Sequence, residues 1–371
     1  MMQFETNGRI LSIDTLRGFD MFFITGGAVL VSGLCTALGL GEDCWLVTQM
    51  NHAEWVGFTQ HDTIFPLFLF LSGVTWPFSL AAQMIKGRSR WRICRKIVVR
   101  SVILFLLGLS LGGILRFKPD FRLMSVLGFI GLSWGAAVLI HLFVRWNWAR
   151  WVVVTVLLFW MYGILHFGVA PDAAAVTLPY TVEGNLPMWF DRILWPHHML
   201  RKGFEPESLF SLPGGMAIAL MGSFAGEVLR SDALVPMRKV LTLAVAGVVS
   251  AIAACVCVRF LGDPIIKNLW TASFIFASVA YSLMLLSIFY WIIDVKGWHG
   301  WTVAFSPVGA NSILAYMLMM TGTVAAMHRF AFVGLCENVG AWGAAVKGLT
   351  LYLLMWGVLF YLGKKRVFLK V

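Results

Sequence analysis

A short polar segment between two long apolar runs carries side chains suited to proton transfer. It covers residues 51–62 and holds two histidines and two acids, His52, Glu54, His61 and Asp62. Histidine exchanges a proton near neutral pH, and a carboxylate such as Asp62 can fix the tautomer of an imidazole that acts as a general base. We therefore interpret His52 and Asp62 as candidate catalytic residues. A solvated loop of ordinary polar residues is the alternative, and the irregular spacing gives little support to a metal site.

Three regularly spaced charged residues lie at the start of the first apolar run. Asp14, Arg17 and Asp20 are three residues apart, so on a helix they share one face and can neutralise one another. A structural ion pair is one interpretation of this pattern. The other is that Arg17 also meets an anionic ligand that enters from the cytoplasm, since guanidinium groups suit phosphate.

A long non-apolar stretch, about residues 168–208, is the second place where polar groups gather. It includes Asp191, Arg192, Glu205 and Glu207 together with several aromatic residues. Mixed charges and aromatic rings fit a polar, hydrogen-bonding ligand such as a sugar better than an apolar ligand. A solvated surface is the alternative interpretation for each of these residues.

Polar residues lie at the start of one later apolar run and inside the next, at or near membrane depth. Lys267 and Asn268 precede one run, and Asn311 and Ser312 lie inside the next. An amide at membrane depth needs a hydrogen-bond partner. That partner is either another helix or a bound ligand.

The composition places the chain in a membrane. Hydrophobic residues make up 59% and charged residues 13% of the 371 residues, and the mean hydropathy is +0.81. The net charge of +11 comes from Lys and Arg clustered in short loops, which is the positive-inside pattern and argues against nucleic-acid binding. Six cysteines without a C-x-x-C pair indicate neither a zinc site nor a disulfide framework. We interpret the first apolar run as a spanning helix, because it is too long for a signal peptide.

The apolar runs predict an all-α bundle of about ten transmembrane helices in a single domain, residues 1–371. The basic loop 86–96 is expected in the cytoplasm, which puts both termini inside and makes 41–62 and 168–208 outward loops. The chain is too polar between the fifth and sixth runs for the stretch 168–208 to span. The predicted spans are 19–40, 63–84, 97–115, 125–143, 151–167, 209–229, 240–260, 271–295, 303–324 and 343–362.

Several segments together resemble the heparan-α-glucosaminide N-acetyltransferase family of membrane acetyltransferases and its bacterial relatives. The resemblance covers nearly the whole chain, and its motifs are specific only in combination. They are SIDTLRG at 12–18, HAEWVGFTQHDTIFP at 52–66, DRIL at 191–194, EPESL at 205–209, KNLWT at 267–271, YWIIDVKGW at 290–298 and NSIL at 311–314.

The resemblance implies that acetyl-CoA is used from the cytoplasmic side and that the acetyl group ends on an amino sugar across the membrane. The family's catalytic histidine corresponds to His52, acting as a general base or as a transient acetyl carrier. The donor is expected at Asp14, Arg17, Asn268, Asn311 and Ser312. The acceptor is expected at Asn51, Glu54, Trp55, Asp191, Arg192, Glu205, Glu207 and Lys267.

The chain also departs from the family pattern. Residues 25–28 read TGGA where relatives often have an asparagine, which leaves the oxyanion-stabilising partner open, with Asn51 as a candidate. The first outward loop differs from the animal enzymes, so we expect a protein of the bacterial cytoplasmic membrane whose acceptor is an envelope sugar or a glycosaminoglycan fragment. The sequence is also compatible with a homodimer. A secondary transporter of a small polar solute and an O-acyltransferase of envelope polysaccharide are the competing interpretations.

Overall fold

A computed structural model describes residues 10–41, 43–117, 120–173, 178–200 and 203–369. Within these ranges the chain is helical and forms no β-strand beyond an isolated bridge between Val169 and Asn185. The all-α prediction is therefore confirmed. The helices are α1 (Leu11–Ala37), α2 (Trp45–Gln49), α3 (Gln60–Ile85), α4 (Arg90–Leu111), α5 (Val126–Phe143), α6 (Asn147–His166), α7 (Leu186–Leu194), α8 (Leu212–Arg230), α9 (Pro236–Phe260), α10 (Ala272–Val295), α11 (Ser306–Ala310), α12 (Ser312–Met320), α13 (Thr323–Asn338) and α14 (Gly343–Lys364).

Each of the ten predicted spans falls on one or more of these helices. Eight helices in the described part of the chain are long and apolar enough to cross a membrane, and the bent pair α12 and α13 makes up to nine. The third predicted span lies in α4, a helix of 22 residues whose first half is strongly basic. The structure is consistent with a polytopic membrane bundle.

The predicted span 303–324 is not one continuous helix. This part of the chain forms α11, α12 and the start of α13, and α12 and α13 are bent by 71°. Asn311 leaves helical geometry at φ −123° and ψ 34°, and Gly322 adopts φ +72°, which glycine tolerates without a steric cost. The break at Asn311 turns the start of α12 toward the interior of the bundle.

Close approach of α1 and α11 sets the position of that break. A Cβ atom on Gly18 would lie 1.9 Å from the carbonyl oxygen of Phe305, and one on Gly309 would lie 1.9 Å from the carbonyl oxygen of Asp14. Only glycine fits at such a crossing, and small residues are the usual means of tight helix packing in a bilayer. The crossing therefore holds the start of α12 beside α1.

The centre of the bundle is formed by α3, α5, α8 and α10. Trp270, just before α10, is buried and stacks on Phe129 of α5 with ring centroids 4.6 Å apart. It also meets Phe65 of α3 edge to face at 5.2 Å. These aromatic contacts fix the segment that precedes α10 against the start of α3, and the two segments form one wall of the main cavity.

Candidate active site

The main cavity lies at the end of the bundle where α3 begins, on the predicted outward side. Its volume is about 470 Å³. Apolar side chains of α1, α3 and α5 contribute part of its wall, as is typical of ligand pockets. The polar residues that line it are Asp20, His52, Glu54, Trp55, His61, Asp62, Arg122, Glu207, Lys267, Asn268, Ser312 and Tyr316.

His52 and Asp62 are in contact on the wall of this cavity. Nδ1 of His52 lies 2.8 Å from Oδ1 of Asp62. The His52 side chain is 55% exposed, whereas the Asp62 carboxylate is 1% exposed. A buried carboxylate that accepts the Nδ1–H leaves the Nε2 lone pair on the open side of the ring, which is the tautomer a general base needs.

Asp62 is itself held by the start of α3. Its Oδ2 accepts hydrogen bonds from the backbone amides of Ala53 at 3.2 Å and Thr59 at 3.3 Å. Thr59 is the N-cap of this helix, with Asp62 at the third helical position, so the two residues form a capping box. The helix cap thus orients the carboxylate that orients His52.

Lys267 completes this cluster from a distant part of the chain. Its Nζ lies 2.9 Å from Nδ1 of His52 and 3.4 Å from Oδ1 of Asp62. The backbone amide of Gly57 donates to the carbonyl of Ile265 at 2.9 Å, which ties the His52 loop to the segment that carries Lys267. The lysine therefore places a positive charge beside the candidate base.

His61 is a second imidazole at the site. Its ring meets the His52 ring edge to face, with centroids 4.5 Å apart. Its Nδ1 is buried and has no hydrogen-bond partner in the described part of the chain. Among the same residues no group of three His, Cys, Asp or Glu side chains is arranged to hold a metal ion. The position of His61 makes it an alternative candidate for the base.

Arg122 binds two carboxylates of the outward loop at another part of the cavity. Its Nε donates to Oε2 of Glu205 at 3.0 Å, and its Nη2 donates to Glu207. Burial raises the pKa of Glu207 to about 7; Arg122 opposes this shift, and the neighbouring Glu205 adds to it. One guanidinium is shared by two carboxylates, so Arg122, Glu205 and Glu207 together carry a surplus negative charge when both carboxylates are ionised.

A second cavity of about 220 Å³ lies next to the first. Phe68, Leu127, Ile130, Ser312 and Ile313 line both cavities, so the two volumes share a wall. The second cavity adds two cationic side chains, Arg17 of α1 and Arg100 of α4. The pair of cavities therefore runs from a cationic pocket to the His52 cluster.

Three predicted donor residues make contacts within the protein. Arg17 lies 3.7 Å from Asp14 and donates to the hydroxyl of Thr75 at 3.1 Å. The amide of Asn311 donates to the carbonyl of Val367 and accepts from the amide of Leu369, both at 3.0 Å. Asp14 does not line either cavity, whereas Arg17 and Asn311 line the second.

Four predicted acceptor residues lie outside the lining of the main cavity. Asn51 is exposed and donates to the carbonyl of Val47 at 2.9 Å. Asp191 is fully buried, and burial raises its pKa to about 6. Arg192 donates to Asp172 at 3.0 Å, and Glu205 is buried behind Arg122. Of the predicted acceptor residues, the cavity brings together Glu54, Trp55, Glu207 and Lys267.

The residues that sequence reasoning missed at the two cavities are Arg122, Tyr316 and Arg100, whereas His61 was grouped with His52 but given no role of its own. Arg122 lies in a short loop and Arg100 within a basic helix, where cations are common. Their roles depend on partners that are distant in sequence; Arg122, for example, is 83 residues from Glu205. The EPESL motif was the available signal that the partner of Arg122 is significant.

Comparison with known proteins gives a distant relationship. No family model matches the chain. The human protein "Heparan-alpha-glucosaminide N-acetyltransferase" is 24% identical over an aligned length of 374. The alignment covers 83% of this chain and 52% of the human protein. The mouse protein of the same name is 23% identical over 370 residues, covering 83% of this chain and 53% of the relative. The chain spans about half the length of these curated relatives.

Proposed function

We propose that this distant relative of heparan-alpha-glucosaminide N-acetyltransferase is a membrane acyltransferase that moves acetyl from acetyl-CoA to the amine of an amino sugar. The observation that carries the proposal is the contact between His52 and the buried Asp62 in a cavity that adjoins a second, cationic cavity. A base beside a site for an anionic donor suits acyl transfer. The bacterial cytoplasmic membrane is the proposed location.

The second cavity is proposed to hold the polar end of acetyl-CoA. Arg17 and Arg100 would meet its phosphates, since guanidinium groups form charge-assisted hydrogen bonds with phosphate oxygens. The thioester arm would pass the wall that the cavities share, where Phe68, Leu127 and Ile130 are apolar. This arrangement would bring the reactive carbonyl toward His52 from the predicted cytoplasmic side.

His52 is proposed to activate the acceptor amine through Nε2. As a general base it would take the proton of the amine while the amine nitrogen attacks the thioester carbonyl and the thiolate leaves. As an acetyl carrier it would itself attack the thioester before the amine does. Lys267 would stabilise the negative charge that develops on the carbonyl oxygen in either route. Both routes require Asp62 to keep the Nδ1–H in place.

The amine acceptor is proposed to lie against Glu207, Glu54 and Trp55. Sugars commonly bind aromatic faces beside carboxylates, and an ammonium group compensates a surplus negative charge. Arg122 serves two carboxylates at once, which favours an amino sugar over a neutral hydroxyl acceptor. Multiple turnover, measured as CoA released per protein molecule, is therefore expected with glucosamine and not with glucose. CoA release that glucose alone sustains would favour the O-acyltransferase.

Arg100→Gln is expected to raise the KM for acetyl-CoA about 10- to 100-fold with little change in kcat, because a hydrogen bond to a charged group contributes about 1.5–3 kcal/mol. The measurement is initial rate against acetyl-CoA concentration at saturating glucosamine. Arg92→Gln is the matched control, since Arg92 is exposed on the same helix and does not line the cavity. Equal donor KM values for the two variants would remove Arg100 from the donor site.

The KM for glucosamine is expected to rise as the pH falls from about 8 to about 6, because Glu207, with its pKa near 7, gains a proton and loses the charge that attracts the ammonium group. Glu207→Gln should raise this KM about tenfold at pH 8 and abolish its pH dependence. Glu183→Gln, at an exposed acid of the same loop, is the control. An acceptor KM that responds to pH equally in both variants would contradict this role.

A further inference from the structure

The active-site cluster contains a primary amine that belongs to the protein itself. Nζ of Lys267 lies 2.9 Å from Nδ1 and 3.4 Å from Nε2 of His52. The side chain is 20% exposed and lines the main cavity. In the proposed reaction an acetyl group is delivered to an amine beside His52, and Lys267 holds the same functional group at the same place.

We propose that Lys267 is a self-acetylation site, modified by the acetyl donor when no acceptor occupies the cavity. This inference rests on the proposed function. An acetyl group on Nε2 of His52 would have its carbonyl carbon bonded to Nε2. Nε2 itself lies 3.4 Å from Nζ of Lys267. Because Nζ lies nearer to Nδ1 than to Nε2, a rotation of the lysine side chain is needed to bring the amine to the near-attack distance of about 3–3.5 Å from that carbonyl carbon. A thioester carbonyl held beside Nε2 would be reached in the same way.

The reaction balances without a further reactant. The neutral amine of Lys267 attacks the acetyl carbon, a carbon–nitrogen bond forms, and the carbon–sulfur bond of acetyl-CoA breaks. The proton lost by the amine goes through His52 to the departing thiolate, so the products are Nε-acetyl-lysine and free CoA. If the acetyl group passes through His52, the carbon–nitrogen bond to the imidazole breaks instead in the second step. The amide product is stable, so the modification accumulates.

Protonation of Lys267 controls this reaction, because only the neutral amine is a nucleophile. Burial lowers the pKa of Lys267, while Asp62 and Glu207 act in the opposite direction. His52 and His61 are the other titratable groups that face this side chain. Self-acetylation should therefore speed up as the pH rises. It removes the positive charge beside Asp62 and fills part of the cavity, so the modified protein should lose transfer activity.

The test is peptide mass spectrometry of the full-length protein in detergent after incubation with acetyl-CoA alone, with free CoA measured in parallel. We expect a gain of one acetyl group at Lys267, at least about tenfold faster than at the exposed Lys86 and Lys296. Glucosamine should slow the modification, and His52→Ala should reduce it to the rate of the exposed lysines. Lys267→Arg should show no acetylation at this position.

Three outcomes would contradict the inference, and they differ in what they imply. If glucosamine is acetylated while Lys267 gains acetyl no faster than Lys86 and Lys296, self-acetylation is wrong and the proposed function stands. If no CoA is released with or without glucosamine and no lysine is modified, the acyltransferase proposal fails and this inference fails with it. Modification of Lys267 that persists at full rate in His52→Ala would also contradict the geometry on which it depends.

Discussion

His52→Ala is expected to lower kcat for acetyl transfer to glucosamine by about 10²- to 10⁴-fold, because positioned general acid–base catalysis contributes about that much. The donor and acceptor KM values should change little, since the positioning residues remain. More than half of the His52 side chain is exposed, so its removal should leave the fold intact. The measurement is initial rate in detergent, with thermal unfolding followed on the same preparation.

His197→Ala is the matched control for this variant, since His197 is exposed in the outward loop and does not line the cavity. It should retain wild-type kcat. His61→Ala supplies the decisive comparison, because the two imidazoles are in contact. A loss of kcat in His61→Ala together with full activity in His52→Ala would make His61 the base.

Asp62→Asn is expected to lower kcat by about 10²- to 10⁴-fold through the wrong tautomer of His52. Oδ2 of Asp62 accepts two backbone amides, so the amide oxygen of asparagine must take that place. The NH₂ group then faces Nδ1 of His52 and donates to it. The proton of the imidazole ring then lies on Nε2, so Nε2 can no longer accept a proton. Lys267 also loses its ionic partner.

Asp62 acts through His52, so its role is distinguished from a structural one by the kinetic pattern. We expect kcat to fall while both KM values and the unfolding temperature stay near those of the wild type, because the capping hydrogen bonds survive. Asp43→Asn, at an exposed acid of the same outward loop, should be neutral. A higher acceptor KM with unchanged kcat in Asp62→Asn would instead place the carboxylate in acceptor binding.

The helices and the His52–Asp62 contact were accessible from the sequence because both depend on local pattern. Apolar run length predicts a span, and the ten-residue separation of His52 and Asp62 is bridged by one short loop and one helix cap. The break in the ninth span was less accessible, since it depends on the crossing of Gly18 and Gly309. Hydropathy carries no information about such a contact.

The remaining parts of the site could not be predicted because they depend on tertiary packing. Lys267 was predicted as an acceptor residue, yet it lies against a histidine 215 residues away. Asn51 has suitable chemistry for stabilising an oxyanion, but its amide is used by the carbonyl of Val47. A sequence gives the inventory of polar side chains, whereas the packing decides which of them face the cavity.

The decisive measurement is transfer of radiolabelled acetyl from acetyl-CoA to glucosamine, with glucose as the hydroxyl-only comparison. Label is expected on glucosamine with wild-type protein and with His197→Ala, at background level with His52→Ala, and not on glucose. The proposed acetyl transfer is contradicted if no sugar is labelled by the folded wild-type protein. Uptake of unmodified glucosamine into proteoliposomes in that case would identify a transporter.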